Sequence, residues 1–151
     1  MKRGFILLVF LVLSCAAAQD ILYVGFRLAA ATGLEEVASG VAPYLGLQVG
    51  VRALDPLELR VAYDVSLGLT YAQADLLYSQ PLGDGLRGYT GLGLDLYEDG
   101  WNGARGYGVH ATAGLEVRTG TVGFFAEAQP IYAIDLGAFR LRSSLGVNLH
   151  F

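Results

Sequence analysis

The segment ending at Phe151 alternates in character to its last residue. Phe139, Leu141, Leu145, Val147, Leu149 and Phe151 share one parity, and Arg140, Arg142, Ser144, Gly146, Asn148 and His150 share the other. A period of two over this length specifies a strand with one apolar and one polar face. A water-soluble chain rarely ends in a long strand that closes on a bare aromatic, so lipid chemistry leads the reading.

The other end reads as an export signal. Lys2 and Arg3 form a positive region, and Phe5 to Leu13 is an apolar stretch too short to span a bilayer. Ala16-Ala17-Ala18 supplies a small-residue cleavage site, so residues 1–18 are expected to be removed and 19–151 to form one domain. A rival reading acylates Cys15, but Leu13 stands where such signals carry a small residue. Cleavage after residue 18 leaves a chain without cysteine, hence without a disulfide framework or thiol chemistry.

Lys2 is the sole lysine, whereas a soluble barrel of this size wets its outside with Lys and Glu. The net charge of -4 argues against nucleic acid as a partner. No later stretch is apolar enough for a membrane helix. A membrane-spanning form must therefore be a closed sheet, because an open edge in lipid leaves backbone groups unpaired.

Alternating segments lie near 21–31, 42–53, 57–66, 68–80, 86–97, 106–118, 121–134 and 137–151. Asp55-Pro56, the run from Pro81 to Gly85, and Thr119-Gly120-Thr121 are compact turns. Two longer connections, Thr32 to Val41 and Glu98 to Arg105, fall on the opposite side, as do short ones at Val65 to Gly68 and Asp135 to Gly137. An even count puts both termini at one end, as an up-and-down barrel requires. The expected fold is all-β, an eight-stranded antiparallel up-and-down transmembrane β-barrel.

Parity assigns the faces. Leu57, Leu59, Val61, Tyr63 and Val65 oppose Glu58, Arg60, Ala62, Asp64 and Ser66; Tyr107, Val109, Ala111 and Ala113 oppose Gly108, His110, Thr112 and Gly114. The polar face is built of glycine, small residues and isolated charges, which suits a narrow interior. A lipocalin-like soluble barrel would turn its apolar face inward instead. Tyr44, Tyr63, Tyr97, Trp101, Tyr107, Tyr132 and Phe139 at one end, and Tyr78, Tyr89, Phe124 and Phe151 at the other, are expected to form two interfacial aromatic bands. Two positions strain the pattern. Pro130 inside the seventh strand calls for a bulge or a local loss of pairing. Asp75 shares parity with Leu67, Leu69, Tyr71 and Gln73. Either those leucines face inward with Asp75, or a bulge near Ala72 switches faces.

The run Tyr71-Ala72-Gln73-Ala74-Asp75-Leu76-Leu77-Tyr78, with Gly88-Tyr89-Thr90-Gly91-Leu92-Gly93 after the turn, resembles small outer-membrane barrels of the outer-membrane protein A and opacity-porin type. The run from Thr112 to Arg118 and the ending from Leu145 to Phe151 share that resemblance. It covers nearly all of 19–151 and implies a bacterial outer-membrane location, a lipid surround and a monomer. It also implies recognition by periplasmic chaperones and by the barrel-assembly machinery, which would read Leu145, Val147, Leu149 and Phe151. The peptidoglycan anchoring of some relatives is not carried over.

Inside such a barrel, Arg27, Arg52, Arg60, Arg118, Arg140 and Arg142 meet Glu58, Asp64, Asp95, Glu116 and Glu127. Forked guanidinium–carboxylate pairs would close the lumen. The particular expectation is that Arg27, Arg140 and Arg142 gather and take Glu116 and Glu127 as partners. The alternative is a narrow, charge-lined channel for small or hydrophobic solutes. A lipid-modifying enzyme needs converging groups reachable from the membrane. His110, Thr112 and Glu116 form one local cluster, but all three have inward parity, and His110 reads as a satisfied interior histidine. His150 is expected at the interface. No metal-ligand spacing or phosphate loop is present, so no cofactor, metal or catalytic residue is assigned. Trp101, Asn102 and Arg105 mark the exposed loop of a structural or envelope-interaction protein.

Overall fold

The computed structural model describes residues 21–32, 41–66, 68–99 and 103–151. The export segment with Cys15, most of the first loop, Leu67, Trp101 and Asn102 lie outside the described residues. Eight strands follow one another: β1 (Leu22–Thr32), β2 (Val41–Leu54), β3 (Leu57–Ser66), β4 (Leu69–Gly83), β5 (Leu86–Asp99), β6 (Arg105–Thr119), β7 (Val122–Ala133) and β8 (Ala138–His150). Each pairs antiparallel with the next, and β8 returns to β1 to close the barrel. The closing seam runs from Tyr23↔His150 to Thr32↔Leu141. Phe151 extends it, its N–H donating to the Leu22 carbonyl at 2.8 Å. With no free edge, every strand has two hydrogen-bonding neighbours, as a hydrocarbon surround demands.

Alternation orients the wall inside out relative to a soluble protein. Phe26, Leu92 and Phe139 point outward and are 65%, 71% and 76% exposed, while Arg27, Asp64 and Gln129 point inward and are buried. Apolar surface on this scale belongs in lipid. The chain is thus a closed, eight-stranded transmembrane β-barrel. One end carries Ile21, Phe151 and the tight hairpins at residues 55–56, 84–85 and 120–121. The other, here the loop end, carries the remaining connections. At Gly120 a φ of +60° gives the turn a conformation that side-chain-bearing residues rarely adopt, and Arg118 Nε caps its carbonyl at 2.8 Å.

The structure departs from the sequence reading in some places and, at Pro130 (local loss of pairing) and in β4 (Asp75 inward with its parity set), takes one of the two alternatives it left open. The turn expected from Pro81 to Gly85 is shorter, because β4 runs on to Gly83 through a register shift after Pro81. Pro130 produces no bulge. The β6–β7 ladder lapses between Ala113↔Ala128 and His110↔Ile131 with its register intact, and Pro130 stays paired with Leu141 on the β8 side. The missing N–H is therefore absorbed on one flank. β4 needs no face switch near Ala72: Tyr71, Gln73, Asp75, Leu77 and Ser79 all face inward. Arg105 is the first residue of β6, not a loop residue, and pairs with Glu98 at 3.2 Å in an exposed position.

The aromatic bands are thinner than expected. Tyr63, Tyr107, Tyr132 and Phe139 do face outward at the loop end, and Tyr78, Phe124 and Phe151 at the other. Tyr44, Tyr89 and Tyr97 turn into the lumen. Three inward tyrosines sit opposite glycines in register: Tyr23↔Gly50, Tyr89↔Gly114 and Tyr97↔Gly106. A Cβ built on those glycines would come within 2.1–2.3 Å of the ring atoms. Each glycine thus provides the floor on which a large ring lies flat against the wall.

Candidate functional site: the polar lumen

The inward parity of all eight strands delivers polar side chains to one column, where two layers of ion pairs meet. Asp64 from β3 takes the fork of Arg27 from β1, with Nε donating at 2.6 Å and Nη2 donating to the other carboxylate oxygen. Arg27 also donates to Gln73 and, at 3.4 Å, to Glu127. Glu127 from β7 collects four donors, adding Arg60 Nη1 at 2.6 Å, Tyr89 O–H at 3.0 Å and Ser144 O–H at 2.9 Å. Arg60 Nε reaches Asp75 at 2.9 Å. These groups come from six strands, so they tie opposite sides of the wall together across the axis.

A second layer lies toward the loop end. Arg142 donates to Gln129 at 2.7 Å and to Asp95 at 2.9 Å, with Asp64 3.7 Å away. Gln73 donates to Asp95 at 2.8 Å. The His110 ring is held between two carboxylates, Nδ1 facing Asp95 and Nε2 facing Asp75 at 2.5 Å. Gln129 donates to Thr112 at 3.1 Å. These side chains are buried. Charges in such a place persist only when paired and hydrogen-bonded.

Of the expected network, Arg27, Arg60, Asp64, Asp95, Glu127 and Arg142 come together. The proposed gathering of Arg27, Arg140 and Arg142 around Glu116 and Glu127 is corrected in two respects. Glu116 lies toward the terminal end and accepts from Asn148 at 2.7 Å, with His150 Nε2 2.9 Å away, rather than from Arg27, Arg140 or Arg142. Arg140 donates to the Tyr71 hydroxyl at 3.2 Å. Glu58 accepts from Tyr23, with Arg87 3.9 Å away. Arg52 keeps a buried Nε without a hydrogen-bond partner among the described residues, and Arg118 serves the hairpin at Gly120. His150 is not interfacial: it is buried inside, its ring 5.4 Å from that of Tyr23.

Several members escaped the sequence reading as partners. Asp75, Gln73 and Gln129 each make two or more of these bonds, and Ser144 and Tyr89 each make one, to Glu127. Their inward parity was available as a signal; their partners were not, because partners across a lumen depend on the stagger of the closed sheet. The cluster of His110, Thr112 and Glu116 does not form a site. Thr112 and His110 share Asp75, while Glu116 belongs with His150.

Among solved structures the fold is similar to that of Neisserial surface protein A, with 18% identity over 86% of this chain and 97% of that one and a TM-score of 0.68. It is likewise similar to the N-terminal β-barrel domain of Pseudomonas aeruginosa OprF, with 20% identity over 85% and 97% and a TM-score of 0.59. A de novo designed transmembrane β-barrel matches with 13% identity over 87% and 96% and a TM-score of 0.66. At these identities the likeness concerns the fold. No family model matches the chain, and no curated protein matches it.

Proposed function

We propose that this chain is a bacterial outer-membrane barrel with a structural or envelope-interaction role, non-enzymatic, whose lumen is closed to solutes by its ion-pair network. The observation that carries the reading is the convergence of Arg27, Arg60 and Arg142 with Asp64, Asp75, Asp95 and Glu127 from strands on all sides. An eight-stranded interior has room for side chains and little else. The likeness to outer-membrane barrels supports the location. In this reading residues 1–18 direct export and are removed, and the termini face the periplasm. Periplasmic chaperones and the assembly machinery engage the strand ending Leu145, Val147, Leu149 and Phe151, and the barrel sits as a monomer in lipid.

The location is tested by fractionating cells that express the full chain. The expected result is recovery in the outer-membrane fraction with heat-modifiable gel mobility. Recovery in the soluble periplasmic fraction would overturn the reading in favour of a soluble binder.

A further inference from the structure

The ion pairs of the two layers close into a ring. Arg60 reaches Asp75 at 2.9 Å, and Asp75 faces His110 Nε2 at 2.5 Å. His110 Nδ1 faces Asp95, which pairs with Arg142 at 2.9 Å. Arg142 lies 3.7 Å from Asp64, and Asp64 takes the fork of Arg27. Arg27 lies 3.4 Å from Glu127, and Glu127 returns to Arg60 at 2.6 Å. Each arginine of this circuit stands between two carboxylates, so the charges alternate in sign all the way round. His110 is the one member whose sign depends on a proton.

A neutral imidazole has one N–H and one lone pair. In either tautomer the lone pair would point at a carboxylate oxygen, because both carboxylates are held in place from behind. Asp75 gives its other oxygen to Arg60 Nε, and Asp95 gives its other oxygen to Arg142 and Gln73. Thr112 lies 3.4 Å from the Asp75 oxygen that faces the ring. A doubly protonated ring donates to both carboxylates. The charge count agrees. Asp75 of β4 and Asp95 of β5 flank His110 directly. Beyond them lie Arg60 and Asp64 of β3, Arg142 of β8, Arg27 of β1 and Glu127 of β7, while the inward Gly46 and Gln48 of β2 carry no charge. Three arginines against four carboxylates leave one negative charge in excess, and an imidazolium makes the circuit neutral. Its members are buried, where an excess charge is costly.

We propose that His110 is a proton-held lock on the lumen. As an imidazolium it completes the ring; when it gives up one proton, Asp75 and Asp95 lose the cation between them, the ring opens there, and ions enter. The lock rests on the closed lumen proposed above.

The test uses the refolded full barrel with 15N-labelled histidine. The His110 ring nitrogens are read through the carbon-bound ring protons and assigned by their loss in His110→Gln. At neutral pH both nitrogens are expected in the N–H form. The pH is then raised until one of them is bare, and conductance of the wild type in planar bilayers is expected to begin over the same pH range. Urea unfolding at neutral pH reads the charge balance. Asp95→Asn keeps a hydrogen-bond acceptor but leaves a positive excess, so the midpoint should fall by about 1 M or more. His110→Gln should lower it similarly, and the double variant, with three arginines against three carboxylates, should regain about half of the loss or more. A bare His110 nitrogen at neutral pH, or Asp95→Asn as resistant as the wild type, would overturn the lock and leave the closed lumen standing. Steady conductance while both nitrogens hold their protons would overturn both, and a silent membrane after deprotonation would overturn the lock.

Discussion

Glu127→Ala removes the acceptor on which two arginines and two hydroxyls converge. Breaking one side of a buried ion pair costs about 3–5 kcal/mol. Here Arg60 keeps Asp75 at 2.9 Å and Arg27 keeps Asp64, which places the charge contribution at the low end, about 3 kcal/mol. Losing the acceptor of Tyr89 and Ser144 adds about 1 kcal/mol at most for the pair, since both hydroxyls can rotate toward water that enters the vacated space. The expected loss is therefore about 4 kcal/mol. With a urea slope near 2 kcal/mol per molar, the midpoint falls by about 2 M. Glu127→Gln keeps an acceptor and loses the charge, so it should fall between wild type and alanine. The assay is reversible urea unfolding in phospholipid vesicles, followed by heat-modifiable mobility and by fluorescence of the single tryptophan. A loss below about 0.5 kcal/mol would refute the reasoning, since it would mean that water already solvates both arginines.

Three further outcomes follow from the geometry. Leu92→Arg, on the outward face at mid-strand, should destabilise the barrel in bilayers by about 2–4 kcal/mol, measured by the same urea titration; a neutral effect would place that face in water. Gly114→Ala should displace the Tyr89 ring and with it the bond to Glu127, costing about 1–3 kcal/mol. In a double-mutant cycle with Tyr89→Phe the two losses should be non-additive, and simple addition would show that ring and glycine are uncoupled. Deleting Phe151 should lower outer-membrane yield in cells more than it lowers urea resistance of the refolded protein, and normal insertion of the truncated chain would contradict an assembly role.

The strands and their faces were legible because a two-residue period survives in nearly every segment. Asp75 was the instructive case. Its neighbours Leu69 and Leu77 look like lipid-facing residues, yet parity with Gln73 carries the whole set inward, and the structure keeps that parity without a bulge. Tyr44, Tyr89 and Tyr97 face inward because parity, and not position near a strand end, sets the face of a strand residue. Tyr89 shares its face with Gly91, Gly93 and Asp95, and each of Tyr89 and Tyr97 lies opposite a glycine once the register is known. What alternation does not contain is the stagger between strands. It decides that Glu127 meets Arg60 and Glu116 meets His150, and it arises only when β8 closes on β1.

Single-channel recording from the refolded protein in planar bilayers tests the closed lumen most directly. Wild-type protein should give no steady conductance steps above the bare membrane, and Glu127→Ala should give small, flickering ones as the Arg27–Arg60 layer loosens. Large, steady steps from the wild type would contradict a closed lumen and establish a water-filled channel.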